Sequence, residues 1–229
     1  MSGHAYSAQA APSRRASVST RWSGPGGAIV AAALCVAALA LVWVVAELVP
    51  SAHYKDAVVL HEFTTLSGTR VDTVGNFLLH LLDPVLFVCW GIALVAFALA
   101  RSRPRVALAV VAVMALAPYT SETLKPLLAH SHVTIDYLTI GAPSWPSGHS
   151  TAALALVLSV VLVSPPKLRP LTAVLGAMFA AAIGCVLLIL AWHMPSDVIG
   201  GYLISLLWMS IAVASLRAAE RRWPTGRSI

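Results

Sequence analysis

The sequence predicts an all-α integral membrane protein, a bundle of six transmembrane helices with both termini in the cytoplasm. Of its 229 residues, 59% are hydrophobic and only 10% are charged, and the mean hydropathy is +0.83. This composition lies far from that of a soluble globular domain. A helix needs about 20 residues to cross a hydrocarbon core of about 30 Å, so the chain accommodates six spans with short loops and no separate soluble domain.

The predicted domain organisation has three parts. Residues 1–27 are small, polar and basic, and are predicted to form a disordered cytoplasmic tail. Residues 28–216 form the six-helix membrane domain, and residues 217–229 form a basic cytoplasmic tail. A cleaved signal peptide is not favoured, because the apolar run 28–49 is long enough to span and Glu47-Leu48-Val49-Pro50 is not a small-residue cleavage site.

The apolar runs give the spans in order. They cover residues 28–49, 74–100, 106–128, 147–164, 171–191 and 196–216. Residues 50–73 are predicted to form an outer loop with a short amphipathic helix at the membrane interface. Asp83-Pro84 lies near the outer third of the second span, where the carboxylate either lines a polar cavity or caps a helix next to the proline.

The distribution of basic residues gives the predicted orientation. With the N terminus inside, Lys55, Arg70 and Lys125 are the only outer residues among the 15 lysines and arginines. The positive-inside rule therefore predicts cytoplasmic termini and polar chemistry on the extracytoplasmic side, where every histidine except His4 and every acid except Glu220 lies. The predicted location is the plasma membrane. Because the basic residues are dispersed among loops and not gathered in one patch with aromatic residues, nucleic acid is not a predicted partner.

The stretch Pro146-Ser147-Gly148-His149 stands at the start of the fourth span. The proline ends the preceding loop, Ser147 is the predicted N-cap, and Gly148 lets a ligand approach the backbone closely. The N–H groups of the first turn and the positive end of the helix dipole favour a phosphate oxygen. At the edge of this cradle, His149 can donate a proton to a leaving alkoxide.

The stretch from His193 to Asp197 stands at the start of the sixth span. Pro195 argues against a continuous helix through both residues, so the helix is predicted to open at Met194-Pro195-Ser196 with His193 on the preceding turn. A carboxylate that accepts the N–H of one ring nitrogen leaves the other nitrogen basic, as a nucleophilic histidine requires. Two histidines at two outer helix starts indicate one site. Metal binding is the alternative for such a set of ligands.

These residues resemble the motifs of the type 2 phosphatidic acid phosphatase superfamily, which includes the lipid phosphate phosphatases. Its second motif, P-S-G-H, ends at His149, and the end of its third motif, H-x3-D, is present at His193 and Asp197. The resemblance covers roughly residues 75–215. It implies that His193 attacks phosphorus to form a phosphohistidine, that His149 protonates the leaving group, and that Asp197 orients His193.

Two arginines of the family pattern are absent. The first motif, K-x6-R-P, begins at Lys125 but has His132-Val133 in place of Arg-Pro, and Leu187 stands where the third motif has arginine. Arginine clamps a phosphoryl group through paired hydrogen bonds, and the loss of one such transition-state donor typically costs about 2.7–4 kcal/mol. Compensation by His132 itself, by His130 or by Arg70 is left open. The predicted phosphate-binding residues are Lys125, His132, Ser147 and Gly148.

The favoured function is a membrane lipid phosphate phosphatase that hydrolyses a phosphomonoester or pyrophosphate of a polyprenyl lipid or glycerolipid at the outer leaflet. One alternative is a head-group phosphotransferase with the same His-His-Asp set, in which an alcohol replaces water. Another is an inactive homologue that binds a lipid or a partner protein. An unrelated transporter is disfavoured, because Asp83 is the one charged residue predicted near mid-membrane.

The predicted partners are the lipid phosphate substrate and membrane lipids. No metal and no organic cofactor is required by the predicted chemistry, because histidine supplies both the nucleophile and the acid.

Overall fold

The computed structural model describes residues 25–128 and 144–224. Within these ranges the chain forms eight helices and no strand, which confirms the all-α prediction. The helices are α1 (Pro25–Leu48), α2 (Pro50–Thr64), α3 (Thr69–His80), α4 (Pro84–Ala100), α5 (Pro104–Leu127), α6 (Gly148–Val163), α7 (Arg169–Ile189) and α8 (Pro195–Arg222).

Long apolar helices confirm a multi-pass membrane protein. In the described ranges α1, α5, α7 and α8 are long and apolar enough to cross a membrane, and α3 together with α4 gives a fifth crossing if the pair is one span. The helix α6 is also apolar but has only 16 residues. With α6 as a sixth crossing, these helices fall at the six predicted spans. The count of six and the cytoplasmic termini stay predictions.

The second predicted span, 74–100, is not one continuous helix. The helices α3 and α4 meet at a bend of 53°. Pro84 lacks an N–H for the helical ladder and restricts the residue before it, and Asp83 accordingly has extended backbone angles, φ −54° and ψ 146°. Asp83 therefore occupies the N-cap position of α4, but its Oδ2 lies 2.9 Å from Nδ1 of His80 and does not cap the backbone.

The segment 50–73, predicted to be an outer loop, contains the predicted short helix. This helix, α2, begins at Pro50, where a missing N–H costs nothing because the first turn has no partner for it. It packs against α1, α7 and α8. Nδ1 of the buried His53 lies 2.9 Å from the carbonyl oxygen of Ala46 on α1. The segment 50–73 is therefore attached to the bundle and is more helical than predicted, since α3 also begins inside it.

The first and last helices extend beyond the residues 28–216 predicted for the membrane domain. The helix α1 starts at Pro25, three residues inside the predicted tail 1–27, and residues 1–24 lie outside the described residues. At the other end α8 continues past residue 216 to Arg222. The arginines of its last turn complement the negative end of the helix dipole. Residues 225–229 also lie outside the described residues.

The helix α6 packs against α4, α5, α7 and α8, and so has neighbours on several sides. Its buried face is rich in small residues, among them Ser150, Thr151, Ala153 and Ala155, which have no exposed surface. Small side chains allow membrane helices to approach closely. Two clusters of buried apolar residues pack around α6, one shared with α4, α5 and α8, the other with α2, α3, α7 and α8.

The helices α6 and α8 approach each other closely at Gly201. A Cβ atom at this position would lie 2.5 Å from the carbonyl oxygen of Ser147 and closer still to Oγ of Ser150. The obstruction includes backbone, which cannot rotate away as a flexible side chain can. Gly201 is therefore required for the contact between the first turn of α6 and the second turn of α8.

We expect Gly201→Ala to lower the free energy of unfolding by about 1–3 kcal/mol, the usual cost of overpacking. Thermal unfolding of the purified protein in detergent measures this. The matched control is Gly91→Ala, a helical glycine whose added Cβ would make ordinary contacts of 3.6 Å with Met114. Equal unfolding temperatures for the two variants would contradict the close-contact argument.

Candidate active site

The first predicted helix start is capped and buried. Ser147 is the N-cap of α6, and its Oγ accepts the N–H of Ser150 at 3.4 Å, which confirms the predicted cap. Ser147 itself has no exposed surface. Oγ of Ser121 on α5 donates to the carbonyl oxygen of Pro146 at 3.1 Å. The helix α5 therefore holds the loop that leads into α6.

Gly148 lies where charged groups of α5 meet the start of α6. A Cβ atom on Gly148 would lie 2.7 Å from Oε1 of Glu122 and 3.4 Å from Nζ of Lys125. A side chain at this position would displace the Glu122 carboxylate, whereas Lys125 would remain in ordinary contact. The glycine thus leaves room beside the backbone of the first turn, which Glu122 and Lys125 border.

The second helix start carries a histidine–carboxylate pair. Met194 is the N-cap of α8, so His193 precedes the helix, as predicted. Nδ1 of His193 lies 3.3 Å from Oδ2 of Asp197, which also accepts the N–H of Met194 at 2.9 Å. The Asp197 side chain is fully buried and 11% of the His193 side chain is exposed. A carboxylate only accepts hydrogen bonds, so this arrangement favours a proton on Nδ1 and a lone pair on Nε2.

A backbone hydrogen bond joins the two helix starts. The N–H of Ser147 donates to the carbonyl oxygen of Asp197 at 3.0 Å. Beside it, Oγ of Ser150 donates to the carbonyl oxygen of Val198 at 3.2 Å. The first turns of α6 and α8 are therefore in direct contact, and the two motifs predicted to share a site come together.

His149 lies on the first turn of α6 and is half-buried. It is within electrostatic range of His193 and Lys125, and of the carboxylates of Asp83 and Glu122. Together with His149, these side chains come from four separate segments of the chain. The two histidines and Lys125 thus belong to one polar group at the end of the bundle where α5 ends and α6 and α8 begin.

A cavity of about 380 Å³ opens beside His149. The polar part of its lining comes from Glu122, Lys125, Gly148 and His149. Its apolar walls include Phe87, Val88 and Met114, which also line a second cavity of about 450 Å³ between α4 and α5. A polar pocket and an apolar groove therefore adjoin each other.

The predicted phosphate-binding residues do not all lie in this cavity. Ser147 and Gly148 are at the start of α6, and Lys125 lines the cavity, but Nζ of Lys125 pairs with Oε1 of Glu122 at 2.6 Å. His132, and His130 with it, lies outside the described residues. The lining of the cavity thus contains the predicted lysine, already engaged by an acid.

Leu187, which replaces a family arginine, and Arg70, a possible substitute for it, both lie away from this cavity. Leu187, at the position where the family pattern has arginine, is fully buried in the apolar cluster shared with α2 and α3. Arg70 is exposed on the first turn of α3 and is not part of the cavity lining.

Sequence reasoning missed three residues at the site. Glu122 precedes Lys125 by three residues on α5, a spacing that places both on one helix face and could have signalled the pair. The Trp192 ring meets the His149 ring edge to face, with centroids 5.6 Å apart. Asp56 on α2 accepts hydrogen bonds from Ser196, 140 positions away in sequence, and no local pattern indicates that contact.

Comparisons with known proteins point to one family. Residues 106–221 match the family model described as PAP2 superfamily. The fold is similar to the crystal structure of the first transmembrane PAP2-type phosphatidylglycerolphosphate phosphatase from Bacillus subtilis, with a TM-score of 0.64 and 16% sequence identity. The alignment covers 89% of this chain and 98% of that one. At this identity the likeness establishes the fold alone. No curated protein matches the chain.

Proposed function

The chain belongs to the PAP2 superfamily, and from this premise we propose that it is a membrane lipid phosphate phosphatase. The proposed substrate is a phosphomonoester or pyrophosphate of a polyprenyl lipid or glycerolipid. The observation that carries the proposal is the 3.0 Å hydrogen bond from Ser147 to Asp197, which brings the anion cradle of α6 next to the His193–Asp197 pair. A nucleophile, its orienting carboxylate and an acid then belong to one site.

In the first proposed step, Nε2 of His193 attacks phosphorus. The N–P bond forms as the bond from phosphorus to the lipid oxygen breaks, and His149 gives its proton to that oxygen. Asp197 stabilises the positive charge that develops on the His193 ring. The N–H groups of Gly148 and His149 at the start of α6 and the ammonium of Lys125 stabilise the phosphoryl oxygens.

In the second proposed step, water resolves the phosphohistidine. His149, now neutral, accepts a proton from water as its oxygen attacks phosphorus, and the N–P bond breaks. Inorganic phosphate leaves, and both histidines return to their starting states. An alcohol in place of this water gives the phosphotransferase, so the second step alone decides between the two functions.

The apolar groove supports a lipid substrate. It adjoins the polar cavity through Phe87, Val88 and Met114, and continues along α4 as far as Leu99. From residue 87 to residue 99 an α-helix rises about 18 Å. A phosphate at Gly148 would therefore have an apolar surface beside it that accommodates a long hydrocarbon chain.

The orientation is also a proposal. The arginines at residues 101–105 and at the end of α8 belong to the turns and termini remote from the candidate site. The positive-inside rule assigns that end to the cytoplasm. We therefore propose that the site faces the extracytoplasmic side of the plasma membrane, so that the substrate enters from the outer leaflet.

A second candidate function is an inactive, lipid-binding homologue. Leu187 supports it, because the cation that the family pattern has there is replaced by a core residue with no exposed surface. The ion pair of Lys125 with Glu122 also supports it, because the lysine is then less available to a phosphate. Turnover of a lipid phosphate separates the two candidates, since an inactive homologue forms no phosphohistidine.

We expect the purified chain to release phosphate from a panel containing phosphatidic acid, phosphatidylglycerol phosphate and polyprenyl phosphate or pyrophosphate. His193→Ala should lower kcat by about a thousandfold or more, because the nucleophile is lost. Denaturation at alkaline pH with labelled substrate, which preserves the acid-labile N–P bond, should trap a phosphohistidine in the wild type and not in His193→Ala. His80→Ala, which alters a histidine whose side chain is 71% exposed, is the control. Undiminished release by His193→Ala would refute the mechanism.

We also expect Glu122→Gln to tighten binding of inorganic vanadate, a phosphate analogue, by about two- to fivefold. This is the range for an exposed ion pair, and the Glu122 side chain is 61% exposed. The substitution removes a negative charge beside Gly148 and leaves Lys125 available. Inhibition constants for vanadate measure the effect, with Glu62→Gln on α2 as the control. Weaker binding would show that Glu122 assists the anion.

A further inference from the structure

Asp56 is an acid in contact with the second helix start that the proposed reaction does not use. Its two carboxylate oxygens lie 3.2 and 3.3 Å from the backbone nitrogen of Ser196, and Oδ2 also accepts the Ser196 hydroxyl. It lies on α2, which is outside the candidate membrane spans. Two donors of one residue thus converge on a carboxylate from a distant helix.

Ser196 lies between Pro195 and Asp197, in the turn that orients His193. Each backbone N–H of this turn has an acceptor: Met194 donates to the Asp197 carboxylate, Ser196 donates to Asp56, and Asp197 donates to the Met194 carbonyl at 3.0 Å. Two carboxylates therefore hold one turn. Without Asp56, the N–H and the hydroxyl of Ser196 lose that acceptor.

The position is electrostatically unfavourable for an acid. Burial raises the pKa of the Asp56 carboxyl, the hydrogen bonds from Ser196 lower it, and the nearby charge of Asp197 raises it again. The positive end of the α8 dipole and the Ser196 donors offset the cost. A neutral residue at this position would not be repelled by Asp197. The hydrogen bonds from Ser196 are therefore the specific contacts that offset the repulsion of Asp56.

We propose that Asp56 is a positioning residue of the active site. It holds Ser196, and through the first turn of α8 it sets the geometry at which Asp197 meets Nδ1 of His193. Since α2 is attached to α1 through His53 and Ala46, Asp56 connects the outer segment to the nucleophile. This inference rests on the proposed phosphatase function, because the geometry of His193 matters only if its Nε2 attacks phosphorus.

The test compares full-length variants reconstituted with the panel lipid that the wild type hydrolyses fastest. Asp56→Ala should lower kcat by about 10- to 100-fold while KM changes less than about twofold, since a displaced nucleophile affects the chemical step and not lipid binding. Asp56→Asn keeps the shape and one acceptor and should restore most of the rate.

The matched control is Asp72→Ala. Asp72 also accepts from a serine hydroxyl and a backbone N–H, those of Ser67 and Gly68, but it does so on the exposed surface of α3. We expect its kcat to equal that of the wild type. Size-exclusion profiles and unfolding temperatures show whether Asp56→Ala folds. If it does not, the kcat of Asp56→Asn is compared with that of the wild type.

A second measurement needs no turnover. Nitrogen-15 NMR of histidine-labelled protein in micelles, assigned with His193→Ala, should show one Nδ1–H tautomer of His193 in the wild type and in Asp72→Ala. In Asp56→Ala it should show a mixture of tautomers. An inactive wild type would refute the proposed function alone. Wild-type kcat and unchanged His193 signals in Asp56→Ala would overturn the inference.

Discussion

The site depends on the direct contact between the first turns of α6 and α8. A backbone hydrogen bond from Ser147 to Asp197 joins them, and the absence of a side chain at Gly201 makes the approach possible. Because backbone groups form this contact, it fixes the two helix starts more firmly than flexible side chains would. This contact holds His149 and His193 near each other, since His149 lies in the first turn of α6 and His193 directly precedes α8.

The electrostatics of the site follow from two helix starts directed at one region. The positive end of the α8 dipole lies beside the buried carboxylate of Asp197, whose Oδ2 has two donors, and beside Asp56. The positive end of the α6 dipole favours an anion, and the Glu122 carboxylate lies next to Gly148 at this helix start. Among the described residues that line the cavity, Lys125 is the one lysine or arginine, and the start of α6 adds the positive end of its helix dipole.

The helix α2 gives the site a support that the candidate membrane spans alone do not provide. It packs on α1, α7 and α8, and its one acid in contact with α8 meets the turn that carries His193 and Asp197. The bend at Pro84 separates α3 from α4, and the α4 residues just beyond it line both the polar cavity and the apolar groove. The helix α4 thus borders both the polar and the apolar part of the pocket.

Local patterns in the sequence predict the all-α membrane class, most helix positions, the Ser147 cap and the start of α8, because hydropathy, proline and capping act over a few residues. It also indicated the His149 and His193–Asp197 motifs. The tertiary structure decided which groups meet them. The break before Pro84 separates two helices in an otherwise apolar run, Leu187 packs into the core, and Asp56 reaches Ser196 across 140 positions. These contacts depend on how helices pack, and packing is set by side chains far apart in the chain.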